Sequence, residues 1–312
     1  MIKMMTKRFR LALLLMLLIL PAILLAACSA NYLEPEETYS DLEIQVMETL
    51  EPTELSPDDS LVMHFINVGE GDAILLVQGD YAMLVDGGPP EMGVTVFTYL
   101  RNQGIDVLDY VIATHPFADH VGGLLDVLRR IEVRNVLLPM IYHDTPDYNM
   151  FLFAVEDSSA EVAVPFAGHS FTLGDAIIEV LSPNPADSWE HRANYSIVLR
   201  VEFGSTSFLL MGDAMREVEA NLLDGDAQLS SDVLKVARHG ASSATTSGFL
   251  DAVNPSIAII SAGSNNSFLS QEVLRRLSSM GIHVFRTDIN GSIVLTSDGT
   301  NIGVMVERSE LP

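Results

Sequence analysis

The sequence predicts an α/β fold in which two β-sheets pack face to face and helices cover their outer surfaces. Short apolar runs rich in β-branched residues recur from residue 61 to about 306, separated by turn residues. Helical stretches alternate with many of these runs, as crossover connections between strands do. The chain has 312 residues, 48% of them hydrophobic, which is enough for a large core, and length alone permits one or two domains.

The first half of this region begins with a meander of three strands. The runs LVMHFINV, DAILLVQ and YAMLVD are separated only by the turn sequences GEG and GD. We then predict, in order, a helix over MGVTVFTYLRNQ, a strand over VLDYVIAT, a helix over GGLLDVLRRI, a strand over VRNVLLPM and two strands over SFTLG and AIIEVLS. The strand VLDYVIAT leads directly to His115.

The second half repeats this mixture of strands and helices. We predict strands over NYSIVLRVEF and STSFLLMGD, a helix over AMREVEANLL, a strand over DVLKVAR, a helix near 246–252, a strand over SIAIISAG, a helix over QEVLRRLSSM, a strand over HVFRT and a final hairpin over SIVLTSDGTNIGVMV. In each half one strand ends at an aspartate next to glycine, Asp86 or Asp213, and a helix follows.

Residues 1–27 have the pattern of a secretory signal peptide. Basic residues precede the apolar run LALLLMLLILPAILLAA, which ends in small residues before Cys28. Because Leu25-Ala26-Ala27-Cys28 resembles a bacterial lipobox, we expect Cys28 to be lipidated and the body to lie outside the cytoplasmic membrane, anchored to the bilayer. The alternative is an uncleaved transmembrane helix, but the run is short and contains Pro21.

Residues 28–60 are predicted to form an acidic, flexible tether that joins the lipidated cysteine to a domain at 61–312. The stretches EPEETYSDLE and EPTELSPDDS are acidic, contain prolines and lack long apolar runs. Cys28 is the only cysteine, so the fold has no internal disulfide. The net charge of -25 disfavours broad binding to nucleic acid backbones, although it also serves solubility.

The stretch THPFADHVGG, residues 114–123, has the residue types of a metal-binding loop. It places His115, Asp119 and His120 at the end of a predicted strand. Asp86, Asp213 and His239 also follow apolar strands, where side chains from different strands can meet. Imidazole and carboxylate ligands suit zinc, manganese or iron better than calcium.

Several motifs, in order over residues 61–306, resemble the metallo-β-lactamase-like domain of ComEC-type DNA-internalisation proteins. They are HFINVGEGDAILL, MLVDGG, THPFADHVGGL, LGDAIIEVLSP, NYSIVLRVEFGSTSFLLMGDA, DVLKVARHGA and VFRTDINGSI. The resemblance implies a four-layer αββα sandwich with a metal site at one edge of the two sheets. It also implies roles for matched residues: His115 at metal site one, Asp119, His120 and His239 at site two, Asp213 bridging the sites, and Asp86 holding the ligands in place.

The sequence departs from the family pattern at this site. Phe117 stands where the family has His or Asp, and Arg238 replaces the first residue of a His-His pair; Asn67, Ala241 and the stretch Phe268-Leu269-Ser270-Gln271 also differ. Site one is therefore depleted, and we predict one divalent ion, zinc or manganese, at site two. His191 is a candidate replacement ligand for site one, and Asn194 is a candidate hydrogen-bond donor to substrate.

Two functions are compatible with these residues. The first is a surface-anchored metal-dependent hydrolase that acts on phosphodiester or related ester bonds, including nuclease action in DNA uptake, with Asp119 and His120 as catalytic residues. The alternative is a degenerate lipoprotein of this fold that binds a ligand or partner without turnover. A carbon-ester or lactam hydrolase is a weaker third option. No protein partner can be deduced from the sequence.

Overall fold

The computed structural model describes residues 59–264 and 268–308. The predicted signal peptide, Cys28 and all but the last two residues of the predicted tether lie outside these ranges. Within the described ranges, no helix has both the length and the apolar character that crossing a bilayer requires.

The described residues form a four-layer sandwich, which confirms the predicted fold class. Its strands are β1 (Leu61–Phe65), β2 (Ile74–Gln78), β3 (Tyr81–Val85), β4 (Val107–Ile112), β5 (Glu132–Leu137), β6 (Glu161–Ala163), β7 (Ser170–Leu173), β8 (Ala176–Ser182), β9 (Val198–Phe203), β10 (Thr206–Leu210), β11 (Val233–Lys235), β12 (Ile257–Ile260), β13 (His283–Arg286), β14 (Ile293–Ser297) and β15 (Ile302–Val306). Its helices are α1 (Gly93–Asn102), α2 (Ala118–Val121), α3 (Leu124–Leu128), α4 (Pro146–Asp157), α5 (Arg216–Asp224), α6 (Ser247–Val253), α7 (Gln271–Ser279) and α8 (Thr287–Asn290).

The two sheets share one plan of pairing. The first has the order β15-β14-β1-β2-β3-β4-β5-β6, and the second has the order β13-β12-β11-β10-β9-β8-β7. The strands from β15 to β3 and from β7 to β10 pair antiparallel, whereas β3 to β6 and β10 to β13 pair parallel. Parallel pairs need crossovers, and the helices between these strands supply them. The carboxyl ends of the parallel strands are the usual place for a ligand site in such sheets.

Three hydrophobic layers hold the sandwich together. Phe65, Met83 and Phe208 belong to the layer between the two sheets, where strands of both contribute fully buried side chains. A second layer lies between the first sheet and α1, α3 and α4, and a third between the second sheet and α5, α6 and α7. Each sheet is therefore buried on both faces, which explains the near-continuous apolar runs in the sequence.

The structure differs from the sequence prediction between residues 140 and 175. Helix α4 and strand β6 were not predicted, although Thr145-Pro146 is a recognisable helix start with proline at the first helical position. Strand β6 is an exposed edge strand and lacks the alternation of a half-buried strand. Strand β7 pairs with β8 and β8 pairs with β9 in the second sheet, and the final hairpin returns to β1 of the first.

His64 on β1 makes the stability of the fold sensitive to acid. Its side chain is buried against α1, with Nδ1 3.0 Å from the Tyr99 hydroxyl, and this burial lowers the pKa of His64 to about 4. The folded state therefore favours neutral His64, so its contribution to stability is complete above the unfolded pKa of about 6.5 and is lost as the pH falls towards 4.

We expect His64→Gln to reduce the loss of stability between pH 7.5 and pH 4 by up to about 3 kcal/mol, because the variant has no imidazole to protonate. Urea unfolding at the two pH values measures this loss. His283→Gln, which alters an exposed histidine, is the control and should behave as the wild type. Equal acid sensitivity of His64→Gln and the wild type would contradict the assignment.

Candidate metal centre

The carboxyl ends of the parallel strands meet at one edge of the sandwich and bring the predicted site residues together. Asp86 follows β3, His115 follows β4, and Asp119 and His120 lie on α2. Asp213 follows β10 and His239 follows β11. Their acidic and imidazole atoms form overlapping groups that could hold a metal ion, among them His115 with His120 and Asp213, and Asp119 with His120 and His239.

Four side chains, which we call the ligand cluster, converge on one point: Asp119, His120, Asp213 and His239. Oδ1 of Asp213 lies 3.6 Å from Nε2 of His120 and 3.6 Å from Nε2 of His239. Oδ2 of Asp119 lies 3.9 Å and 3.6 Å from the same two nitrogens. Ligand atoms around a tetrahedral zinc ion are roughly 3.4 Å apart. The cluster therefore needs only a small contraction to hold such an ion.

Several buried polar atoms at this edge lack a hydrogen-bond partner among the described residues, which also fits a bound cation. Nε2 of His120, Nε2 of His115 and Oδ1 of Asp213 are buried and have no hydrogen-bond partner among the described residues. A buried polar atom without a partner costs free energy, so several together at one point are unusual. A divalent ion in the ligand cluster would satisfy Nε2 of His120 and Oδ1 of Asp213, and two imidazoles with two carboxylates suit zinc or manganese.

The opposite side of Asp213, which we call the His115 side, offers fewer atoms that could bind a metal ion. Nε2 of His115 lies 3.5 Å from Oδ2 of Asp213. The ring of Phe117 packs edge-on against His115, with centroids 4.8 Å apart, and also lies 5.5 Å from the ring of His143. Nε of Arg238 lies 3.9 Å from the same Asp213 oxygen. An apolar ring and a guanidinium thus border this side.

Asp86 holds His120 in position from behind. Its Oδ2 is 2.7 Å from Nδ1 of His120 and accepts a hydrogen bond from the Thr114 hydroxyl at 2.6 Å, while Oδ1 accepts one from the Thr114 amide at 2.8 Å. Asp86 itself has a left-handed backbone with φ of 59°. A carboxylate bonded to Nδ1 fixes the histidine orientation and leaves Nε2 for the metal.

The loops that carry these residues touch backbone to backbone. The Gly87 amide donates to the His120 carbonyl at 2.7 Å, and the Gly123 amide donates to the Gly88 carbonyl at 2.9 Å. A Cβ on Gly123 would lie 1.9 Å from the Gly87 carbonyl oxygen, so only glycine fits. This close approach fixes α2, and with it His120, against the end of β3.

A buried ion pair behind the cluster, Asp72 with Lys235, was not recognised in the sequence. Nζ of Lys235 lies 2.8 and 2.9 Å from the two Asp72 oxygens, and both side chains are almost fully buried. Oδ1 of Asp72 is also 3.9 Å from Nδ1 of His239. The available signal was Lys235 itself, because a lysine within the apolar run DVLKVA is rarely buried without a partner.

The electrostatics of the cluster favour added positive charge. Burial opposes a charge on His120, but Asp86 and Asp119 outweigh it and raise the pKa of His120 well above its ordinary value. Burial also opposes a charge on His239, and Asp119 and Asp213 still raise its pKa. Against the opposing effect of burial, His115 holds the pKa of Asp213 well below its usual range, and His120 lowers that of Asp119 to about 2.

The two predicted auxiliary residues are not brought to the cluster. His191 is exposed, and its Nδ1 accepts a hydrogen bond from the Ala193 amide at 3.2 Å, which caps the short helix Arg192–Tyr195. Asn194 is buried and bonded at both ends: its amide donates to Glu217, and its oxygen accepts from the Met215 amide at 2.9 Å. Asn194 therefore supports the segment after Asp213.

Residues 66–264 match the model of the metallo-beta-lactamase superfamily. This match covers more than half of the chain and includes the whole ligand cluster. The chain belongs to the metallo-beta-lactamase superfamily. Among solved structures of this fold, a mutant of the CmlA beta-hydroxylase of Streptomyces venezuelae aligns with a TM-score of 0.52 and 14% identity, covering 75% of this chain and 53% of that one. At that identity the likeness concerns the fold alone.

Curated relatives of this metallo-beta-lactamase domain are much longer proteins. ComE operon protein 3 of Bacillus subtilis is 34% identical over 197 residues, which is 62% of this chain and 25% of the relative. Recombination protein 2 of Haemophilus influenzae is 28% identical over 73% of this chain and 28% of its own length, and competence protein ComA of Neisseria gonorrhoeae is 26% identical over 77% and 33%. The chain thus spans a quarter to a third of the length of these relatives.

We expect Asp86→Asn to weaken zinc binding by about 10- to 100-fold, because asparagine keeps only one acceptor oxygen and cannot serve both the Thr114 amide and Nδ1 of His120. Competition with a chromophoric chelator measures the affinity. Asp109→Asn is the matched control: Asp109 is also buried in the first sheet and accepts from the Ala82 amide at 2.9 Å, but it pairs with Arg134 away from the cluster. An equal loss of affinity in both variants would show a general effect on stability.

Proposed function

We propose that this protein is a metal-dependent hydrolase of phosphodiester or related ester bonds, and that the ligand cluster holds one divalent ion. The observation that carries the proposal is the convergence of Asp119, His120, Asp213 and His239, with buried polar atoms of His120 and Asp213 directed at a common point. Superfamily membership supports the same chemistry.

The charge around the cluster favours a single ion. The carboxylates are Asp72, Asp86, Asp119 and Asp213, and the side-chain cations are Lys235 and Arg238. Four negative charges against two positive ones leave two negative charges when the histidines are neutral. One divalent ion balances them, whereas two ions would leave an uncompensated positive charge in a buried site.

The residues of the ligand cluster would have different roles in the reaction. A divalent ion held there would lower the pKa of water and polarise the scissile ester group. Asp119 is the most exposed member, with 32% of its side chain accessible, and its low pKa keeps it ionised. Its carboxylate is therefore placed to accept a hydrogen bond from the attacking water and to orient it. His120 and Asp213 are nearly inaccessible and serve as fixed ligands.

Nucleic acid is the substrate class we propose first. Relatives named as competence and recombination proteins support it, because the matched domain is one part of each. The net charge of -25 argues against tight, extended binding along a nucleic acid backbone. A single phosphodiester held at the metal edge is compatible with that charge, since the ion reverses the sign of the field locally.

We further propose that Cys28 is acylated and anchors the protein outside the cytoplasmic membrane. The support is the sequence alone: basic residues, an apolar run and Leu25-Ala26-Ala27-Cys28 stand in the order of a lipoprotein signal. The acidic segment 28–60 would then join the lipid to the domain.

A second candidate is a protein of this fold that binds a ligand without hydrolysing it. The apolar ring of Phe117 beside His115 favours it, because that ring stands where the family has a ligand. Metal binding without turnover would be the result that distinguishes this candidate.

We expect the full chain, purified in detergent, to contain about one divalent ion and to hydrolyse bis(p-nitrophenyl) phosphate. Asp119→Ala and His120→Ala should each lower turnover by at least about 100-fold, since each loses a ligand of the ion. His283→Ala, an exposed histidine, is the control. Metal-free protein with no turnover in added zinc or manganese would refute the hydrolase, and unchanged activity of the two cluster variants would refute the site.

We expect the full chain to incorporate labelled fatty acid in a bacterial host and Cys28→Ala to incorporate none, because no thiol remains to be acylated. A wild-type chain that stays in the membrane without label would instead indicate an uncleaved N-terminal helix.

A further inference from the structure

Arg238 occupies the His115 side of the cluster and points its charge at Asp213. Its Nε lies 3.9 Å from Oδ2 of Asp213, the same oxygen that faces His115. The other oxygen, Oδ1, faces the nitrogens of His120 and His239. A single carboxylate thus separates the point where the ion is proposed from a permanently charged guanidinium.

The surroundings hold Arg238 rigidly. Its backbone and that of His239 are left-handed, with φ of 50° and 54°, which is uncommon for residues other than glycine. The Arg238 amide donates to the Gly212 carbonyl at 2.9 Å, and Nη1 lies 3.2 Å from the Ser243 hydroxyl and 3.3 Å from the Met215 sulfur. The guanidinium also lies 6.0 Å above the Phe268 ring. Strained backbone that neighbours enforce in this way is typical of functional sites.

Arg238 is nevertheless open to a ligand, because 20% of its side chain is accessible. Among the described residues, His115 and Asp213 are the metal-ligating groups that face each other on the His115 side, whereas a catalytic ion takes three protein ligands, and the guanidinium would repel a second ion. Phe117 makes this side less polar, which strengthens any charge interaction formed there.

We propose that Arg238 binds an anionic phosphoryl oxygen of the substrate and takes the place of a second metal ion. The guanidinium beside Asp213 would contact a phosphoryl oxygen of a substrate bound at the ligand cluster. Arginine suits this because its planar N–H donors match phosphate oxygens. A neutral carbon ester or lactam has no such charge, so Arg238 selects phosphodiesters. This inference rests on the proposed hydrolase for the position of the ion.

The test titrates inorganic phosphate into the full chain by calorimetry, with and without zinc, and measures metal content in parallel. We expect Arg238→Met to weaken phosphate binding to the zinc-loaded protein by at least about tenfold, and Arg238→Lys to lie between the two. Zinc content should stay at about one ion per chain, and zinc affinity should be unchanged or tighter, because a nearby cation has been removed.

The matched control is Arg216→Met. Arg216 is an exposed arginine that contacts the same turn, through the carbonyls of Ser242 and Ser243.

Equal phosphate affinity of Arg238→Met and the wild type would overturn the proposal, as would an equal loss in Arg216→Met or a second zinc ion in the wild type. If the wild type takes up no metal, the hydrolase fails. The metal-free titration then decides Arg238 by itself, and an affinity that Arg238→Met does not change overturns its role. Circular dichroism and thermal melts confirm that the variants are folded.

Discussion

The need to balance buried negative charge governs the edge where the two sheets meet. Asp72, Asp86 and Asp213 are almost completely buried there, and Asp119 joins them at the surface. An uncompensated charge of this kind would be too costly for the fold, so each carboxylate has a cation or strong donor nearby. Lys235 serves Asp72, the Thr114 donors serve Asp86, and Arg238 lies beside Asp213. Protons on the histidines or a metal ion can supply the positive charge that is still needed. Protons and a metal ion would therefore compete for the same place.

The matching plan of the two sheets explains why this edge exists. Each sheet changes from antiparallel to parallel pairing at the strand that ends in an aspartate, β3 before Asp86 and β10 before Asp213. The crossover helices lie outside, so the strand ends are left open to each other. Backbone contact at Gly87 and Gly123 then closes the gap between α2 and β3. The chemistry of the site thus follows from where each sheet changes its direction of pairing.

Local patterns predicted most of this architecture, and long-range pairing limited the rest. Apolar strand runs that alternate with helical stretches, and the histidines and aspartate of THPFADHVGG, are visible as local sequence patterns. The fold class and the residues that meet at the edge could therefore be predicted. The Asp72–Lys235 pair joins residues far apart in sequence, and its members are unremarkable until the fold brings them together. The pairing of β14 with β1 also joins residues far apart in sequence, so local patterns could not predict it. The hydrogen bonds of Asn194 to Glu217 and Met215 could not be predicted either, because these partners belong to another element.

Hydrogen bonds within the chain fasten the backbone of the ligand cluster. The His120 carbonyl is held by Gly87, the Asp213 amide donates to Ser196 at 3.2 Å, and the Arg238 amide is held by Gly212. In small metal-dependent domains, by contrast, the ion supplies much of the folding energy. Under the proposed function, these hydrogen bonds place the backbone of the ligands before the ion binds. Loss of a bound ion would then stop the proposed hydrolysis and leave that backbone held in place.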